Sequence, residues 1–165
     1  MKSLAVAFTG PSNSGKTTLI VKLTNKLIKD YKITIIKNDP KDKARFDIEG
    51  KDSYKFSQTG ADVVVTSPKK TTYFFKNHQN LETIIEKLED FDLLFIEGLK
   101  TIPLPRIAIF RNEIDESYFD YANALAVDET VDLTKYSIPK HITILNLNDI
   151  DMITEWIFKN AKVIR

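Results

Sequence analysis

Residues 10–18 read "GPSNSGKTT", the pattern G-x-x-x-x-G-K-[ST] with Gly10, Gly15, Lys16 and Thr17 at its fixed positions. Each residue type has a task in holding a polyphosphate. Gly10 and Gly15 let the backbone turn sharply and approach an anion with no Cβ in the way. Successive amide N–H groups then converge, and a helix starting at the loop adds its positive dipole end. Lys16 is placed to reach the β- and γ-phosphates, and the Thr17 hydroxyl to ligate Mg²⁺. Pro11, Ser12, Asn13, Ser14 and Thr18 complete the segment. The pattern predicts a nucleoside triphosphate and leaves the base open.

A carboxylate from the end of another strand must complete such a site, holding the metal or its waters. "DLLFIEG" offers Asp92 and Glu97. At about 3.3 Å per residue these lie roughly 16 Å apart, so only one can serve. Parallel α/β sheets bind ligands beyond the carboxyl ends of their strands, which selects Glu97 and makes Asp92 a turn residue. Asp39 in "IIKNDP" is a second candidate, at the end of another strand that Pro40 closes. Lys16, Asp39 and Glu97 are thus the catalytic candidates, and Thr17, Asp39 and Glu97 the metal candidates.

The elements around these residues follow from hydrophobic patterning. Continuous apolar runs, rich in β-branched residues, predict strands over 4–9, 32–37, 62–66, 72–75, 93–96, 106–110, 124–127 and 142–145. Amphipathic runs predict helices over 16–29, 81–89 and 149–160, with Asn80 capping the second, and a weaker helix over 53–59. Pro68 falls in a predicted turn between adjacent strands. A strand precedes the phosphate loop and an amphipathic helix follows it. This order predicts an α/β fold of the P-loop NTPase type, a mainly parallel sheet flanked by helices, formed by 1–165 as a single domain.

Composition narrows the chemistry. The 165 residues contain no cysteine, which excludes disulfides, thiolate metal sites and cysteine nucleophiles. His78 and His141 leave little for a zinc site and are predicted at the surface. No apolar run is long enough to cross a bilayer, so the expectation is a cytoplasmic protein. Net charge is +1, but residues 1–45 hold ten Lys/Arg against three Asp/Glu, and residues 112–155 hold two Lys against ten Asp/Glu. Such segregation suits an anionic ligand near the amino terminus and an acidic, partner-facing end, or merely solvated surface on both.

Residues 47–65, "DIEGKDSYKFSQTGADVVV", change from polar to apolar at Gly60 and hold Lys, Asp, Ser and Tyr together at 51–54. Taken alone, the stretch is a surface crossover in which Asp52 or Ser53 caps a short helix. Together with the phosphate loop, "KNDP", "DLLFIEGLK" and "PRIAIFR", it resembles the MobB family of molybdopterin-guanine dinucleotide biosynthesis adaptor proteins. The resemblance covers residues 1–111. It implies GTP and Mg²⁺ as ligands, weak GTP hydrolysis and a homodimer. It also implies a partner, the guanylyltransferase of molybdenum-cofactor synthesis, with neither nucleic acid nor membrane involved. Carried onto this chain, it places Lys51, Asp52, Ser53 and Tyr54 near the nucleotide and matches Lys100 and Arg111 to later basic positions. The chain departs from the pattern at Asn38, where the family usually has His; at "KFSQ" after Tyr54; and at Leu99, often Phe.

Other residues receive structural expectations. "NLND" at 146–149 lacks the lysine of a guanine-reading Asn-Lys-x-Asp motif, and Asn148 or Asp149 capping the last helix explains it as well. Trp156 is expected in the core or a dimer contact. The apolar strand at 72–75 is a candidate edge for pairing across a dimer. Arg45, Arg106 or an arginine of a second subunit are the candidates for a charge-stabilising finger. Without one, hydrolysis is slow, because such a residue contributes roughly 10³–10⁵ in rate. The alternative class is a small-molecule kinase, with 41–55 as a basic lid.

Overall fold

Strand after strand in this chain is apolar on both faces, and in the computed structural model those strands lie side by side in the middle of a parallel sheet. β1 (Leu4–Thr9), β5 (Leu93–Glu97), β6 (Arg106–Phe110) and β7 (Ala124–Val127) are buried along nearly their whole length. β2 (Ile33–Lys37) and β8 (Thr143–Asn146) are half-exposed, as befits the edges of the sheet. The strand order is β2-β5-β1-β6-β7-β8, every neighbouring pair parallel. A short β9 (Lys162–Val163) pairs antiparallel with Leu4 and Ala5.

The structure describes residues 2–165, in two compact units. The first comprises residues up to Asn38 together with 90–165, and the second comprises Asp39–Glu89. In the first unit, α1 (Lys16–Leu27) and α4 (Ile150–Asn160) cover one face of the sheet. Leu19, Leu23, Ile153 and Ile157 pack there against Val6, Phe8, Phe95 and Ile109. Phe8 and Phe95 meet edge to face at 5.4 Å, a favoured aromatic geometry. A separate cluster of Phe110, Tyr118, Phe119, Leu125 and Ile142 forms under the loops that carry two 3-10 turns, Glu116–Tyr118 and Leu133–Lys135. Trp156 is buried in the first core, and Asp149 caps α4 by accepting from the Met152 N–H at 2.9 Å.

The second unit holds α2 (Asp52–Gln58), the hairpin of β3 (Val63–Thr66) and β4 (Thr71–Phe74), and α3 (Leu81–Lys87). The predicted turn at Pro68 joins β3 to β4, which pair with each other antiparallel as their own two-stranded sheet. Asn80 caps α3 as predicted, accepting from the Thr83 N–H at 2.8 Å. Neither Asp52 nor Ser53 caps α2. Lys51 occupies the N-cap with no side-chain hydrogen bond, and the Ser53 hydroxyl donates instead to Asp47 Oδ1 at 2.8 Å. A hydroxyl beside a carboxylate makes the charge-assisted bond in preference to a neutral cap.

Candidate functional site

The loop between β1 and α1 is built from backbone conformations that ordinary residues avoid. Gly10 has φ 142° and Gly15 φ 98°, while Asn13 takes the left-handed region at φ 63°. Asparagine is among the few side chains that tolerate this region. A Cβ on Gly10 would collide with the Ile109 carbonyl oxygen and lie 2.9 Å from Ser14 Oγ. The loop therefore hugs the end of β6, and glycine at position 10 is a requirement of packing as well as of dihedral angle. Gly15 is the N-cap of α1, whose first turn carries no side-chain cap and no acidic residue. Its amides and dipole are left for an external anion.

A cavity of about 310 Å³ opens here, lined by Asn13, Gly15, Lys16, Thr17, Thr18 and Arg111. The Lys16 ammonium donates to the carbonyls of Gly10 (3.0 Å) and Pro11 (2.6 Å). Burial lowers its pKa below the ordinary 10.5, and Lys37 adds to the lowering while Glu97 opposes it. Desolvating a cation and holding it on two neutral carbonyls leaves it ready to exchange them for anionic oxygens. Thr17 and Thr18 are exposed, whereas the Ser14 hydroxyl is buried and makes no hydrogen bond among the described residues.

Four strand ends at one edge of the parallel sheet, those of β2, β5, β6 and β7, supply the charges around the loop. Glu97 ends β5 opposite Phe8, and its side chain is only 15% exposed, with Lys37 Nζ 3.8 Å away. Arg111 follows β6, and its Nε lies 3.2 Å from Asp128 Oδ2 after β7. Asp92, by contrast, sits at the opposite end of β5, where its Oδ2 accepts from the Lys32 N–H at 2.8 Å, the turn role expected of it. Sequence reasoning missed Lys37 and Asp128 altogether and had Arg111 only by resemblance. The signal that finds all three is position: each ends a parallel strand, or directly follows one, at the sheet's binding edge.

The remaining candidates divide between the two units. Arg106 is no finger. It is 1% exposed, and its guanidinium donates to the carbonyls of Gly98 (3.2 Å), Leu99 (3.0 Å) and Ile102 (3.1 Å). It therefore fixes the loop that follows Glu97. Lys100 lies over the Tyr118 ring at 3.8 Å and lines a different cavity, with Asp120 and Tyr121. Asp39, Lys51, Asp52 and Ser53 belong to the second unit. There Asp39 Oδ2 accepts from the Lys43 and Ala44 N–H groups at 2.7 and 2.6 Å. Lys51 and Asp52 are exposed.

The strand, cradle and helix are those of a phosphate-binding loop, and comparison with known families names the lineage. The family model MobB, molybdopterin guanine dinucleotide synthesis protein B, matches residues 5–129. The chain belongs to the MobB family. Among its MobB relatives, a putative molybdopterin-guanine dinucleotide biosynthesis adapter protein of Methanocaldococcus jannaschii is 30% identical over 126 residues. That alignment takes in 73% of this chain and 53% of the relative, so the chain spans about half of that protein's length. The corresponding adapter protein of Haemophilus influenzae is 29% identical over 167 residues, 92% of this chain and 86% of its own. A crystal structure of molybdopterin-guanine biosynthesis protein B superposes with a TM-score of 0.70 at 26% identity, covering 94% of this chain and 99% of that one. The MobB assignment agrees with the parallel sheet and with the loop's place between its first strand and first helix.

The residues fit a magnesium–nucleotide complex. The glycine cradle that a Cβ would fill, the uncapped helix start and the buried Ser14 hydroxyl all suit phosphate oxygens. Among the described residues no three His, Cys, Asp or Glu side chains group around a common point. Mg²⁺ does not need such a group, since it binds through one or two carboxylates together with substrate phosphates. Thr17 and Glu97 are the groups of the first unit that would hold it.

Proposed function

We propose that this chain is a GTP-binding adaptor for the guanylyltransferase step of molybdopterin-guanine dinucleotide synthesis, with slow GTP hydrolysis of its own. The observation that carries the reading is the glycine-lined cradle at residues 10–18, with Lys16 and Arg111 turned to one cavity. The adapter names of its relatives supply the pathway. Lys16, the loop amides and Arg111 would clamp the triphosphate, and Thr17 with Glu97 would hold Mg²⁺, with Asp39 as the further acid of the set. The metal supplies neutralisation of phosphate charge. Arg111 stands where an arginine could stabilise that charge in cis. Its Nε is committed to Asp128, which accords with slow turnover. Lys51, Asp52, Ser53 and Lys100 are assigned to contacts with nucleotide or partner.

The second unit suits a homodimer. Val64, Tyr73 and Phe75 on or beside its hairpin are 54%, 61% and 45% exposed, an apolar edge of the kind that proteins cover. No helix among the described residues is long and apolar enough to cross a membrane, and we place the chain in the cytoplasm. Calorimetric titration with GTP and Mg²⁺, followed by co-purification with the guanylyltransferase, tests the proposal. Binding of GTP that is lost in Lys16→Ala supports it. Absence of heat with either purine triphosphate refutes the nucleotide site, and failure to retain the enzyme with or without GTP refutes the adaptor role.

A further inference from the structure

The loops after β7 and β8 hold a polar pair that neither the core nor the phosphate cavity uses. The Leu147 N–H donates to the Val127 carbonyl at 2.8 Å, and the Asn148 N–H to Asn146 Oδ1 at 2.9 Å. The first bond ties the two strand ends together and the second turns the chain locally after β8, and Asn148 Nδ2 lies 3.3 Å from Glu129 Oε2. Both side chains are exposed at the binding edge of the sheet. Asp149 next door caps α4, so the cap leaves Asn148 available.

The pair is joined to the phosphate cavity by a bonded path. Asp128, adjacent to Glu129, is the carboxylate that holds Arg111, and Arg111 lines the cavity. Asp128 also accepts from the amide and hydroxyl of Thr130, whose Oγ1 accepts from the Asn112 N–H at 2.7 Å. The loop carrying Glu129 is thereby anchored to the segment carrying Arg111. In the sheet β7 lies two strands from β1, about 10 Å at roughly 4.8 Å per strand. A ribose and the purine it carries together span a gap of that order between the phosphates of a nucleotide and the outer edge of its base.

We propose that Glu129, oriented by Asn148, reads the base of the bound nucleotide and selects guanine. The proposal rests on the triphosphate reading of residues 10–18. Guanine presents its N1–H and its 2-amino group side by side, and a carboxylate accepts both with its two oxygens. Adenine presents an unprotonated N1 on the same edge, leaving the carboxylate facing a lone pair. A site built to receive N–H donors rejects a base lacking them, because its polar groups are then left unpaired.

The test is direct titration of GTP, ATP and XTP, each with Mg²⁺, against the wild type, Glu129→Gln and Asn148→Ala. Xanthine carries a carbonyl where guanine has the 2-amino group, so a carboxylate repels it and a carboxamide donates to it. The wild type is expected to prefer GTP over ATP and over XTP by about tenfold or more. Glu129→Gln is expected to prefer XTP to GTP while its ATP affinity stays within about twofold. Asn148→Ala is expected to weaken GTP with no gain for XTP. Because Glu129 is exposed, its substitution leaves the core intact, and circular dichroism checks this. A Glu129→Gln protein that keeps the wild-type GTP to XTP ratio overturns the assignment. A wild type that binds GTP and ATP alike overturns it too, while leaving the phosphate loop standing. A wild type that binds no triphosphate overturns the loop reading itself.

Discussion

The buried guanidinium of Arg106 donates a 3.0 Å hydrogen bond to the carbonyl of Leu99, a residue held in the left-handed region at φ 51°. Two further bonds, to Gly98 and Ile102, make Arg106 the internal support of the loop between β5 and β6. That loop begins at Glu97, so a structural arginine sets the exit of the strand that carries the candidate metal carboxylate. Leucine in this conformation is strained, and such strain persists only where surrounding bonds impose it.

Arg106→Ala is therefore expected to destabilise the fold by about 2–4 kcal/mol, since it removes three hydrogen bonds that hold the loop, although the Leu99 and Ile102 carbonyls keep backbone donors. Arg106→Lys is expected to recover only part of this, because one ammonium does not reproduce the planar fork. Urea denaturation of the two variants beside the wild type measures both effects. Unchanged midpoints would show that the loop holds without the guanidinium.

Gly10→Ala places a methyl group against the Ile109 carbonyl on a backbone at φ 142°. The backbone strain alone is on the order of 1–3 kcal/mol. The loop must lift off β6 to relieve it, so nucleotide binding is expected to fall further than stability does. Thermal melts and GTP titration of the same preparation separate the two. Gly60→Ala, where nothing lies within 4 Å of the new methyl group, is the control for φ strain without the clash.

Burial sets the pH dependence of Lys16. Its pKa is lowered from 10.5, so between the folded and unfolded values the unfolded chain binds the proton more tightly. The contribution of this group to stability therefore rises with pH through that window. Affinity for a triphosphate, which needs the ammonium, moves the opposite way and is expected to decline at a pH below 10.5. GTP titrations at fixed ionic strength from neutral to alkaline pH should show this slope in the wild type and lose it in Lys16→Ala.

Arg111 is partly exposed, and its pairing with Asp128 orients it beside the cavity. Arg111→Ala is expected to weaken GTP binding about tenfold, or about 1.4 kcal/mol, close to the lower end of the range for a hydrogen bond to a charged group. The loss should shrink as salt is raised. Asp128→Asn keeps the arginine but releases its anchor, and is expected to weaken binding less. Equal affinities for wild type and Arg111→Ala would remove Arg111 from the phosphate site.

Much of this is legible in the sequence. Strands such as "RIAIF" and "LLFI" are buried on both faces, and only a parallel sheet's interior accommodates that pattern. The phosphate loop was legible because glycine, lysine and threonine do their work within one turn of chain. Glu97 over Asp92 followed from strand direction alone. Other residues take roles that their neighbours in the chain do not reveal. Arg106 looked like a candidate finger because its burial depends on what covers it. Ser53 looked like a cap because Asp47, its actual partner, competes from the preceding loop. The hairpin read as two more strands, and only pairing shows that β3 and β4 bond to each other apart from the main sheet.

By itself the sequence determined the local chemistry: which segments become strands and helices, where the backbone must turn through glycine, and that an ammonium and a hydroxyl stand at the start of a helix. Those properties depend on neighbours in the chain, whose spacing is covalent. Tertiary structure alone decided that β6 lies beside β1 and β7 beside β6. This order brings Arg111 to the cavity, Asp128 to Arg111, and Glu129 to Asn148. Strand order is settled by how whole faces of apolar side chains pack against α1 and α4, a sum over the entire core that no short stretch of residues encodes.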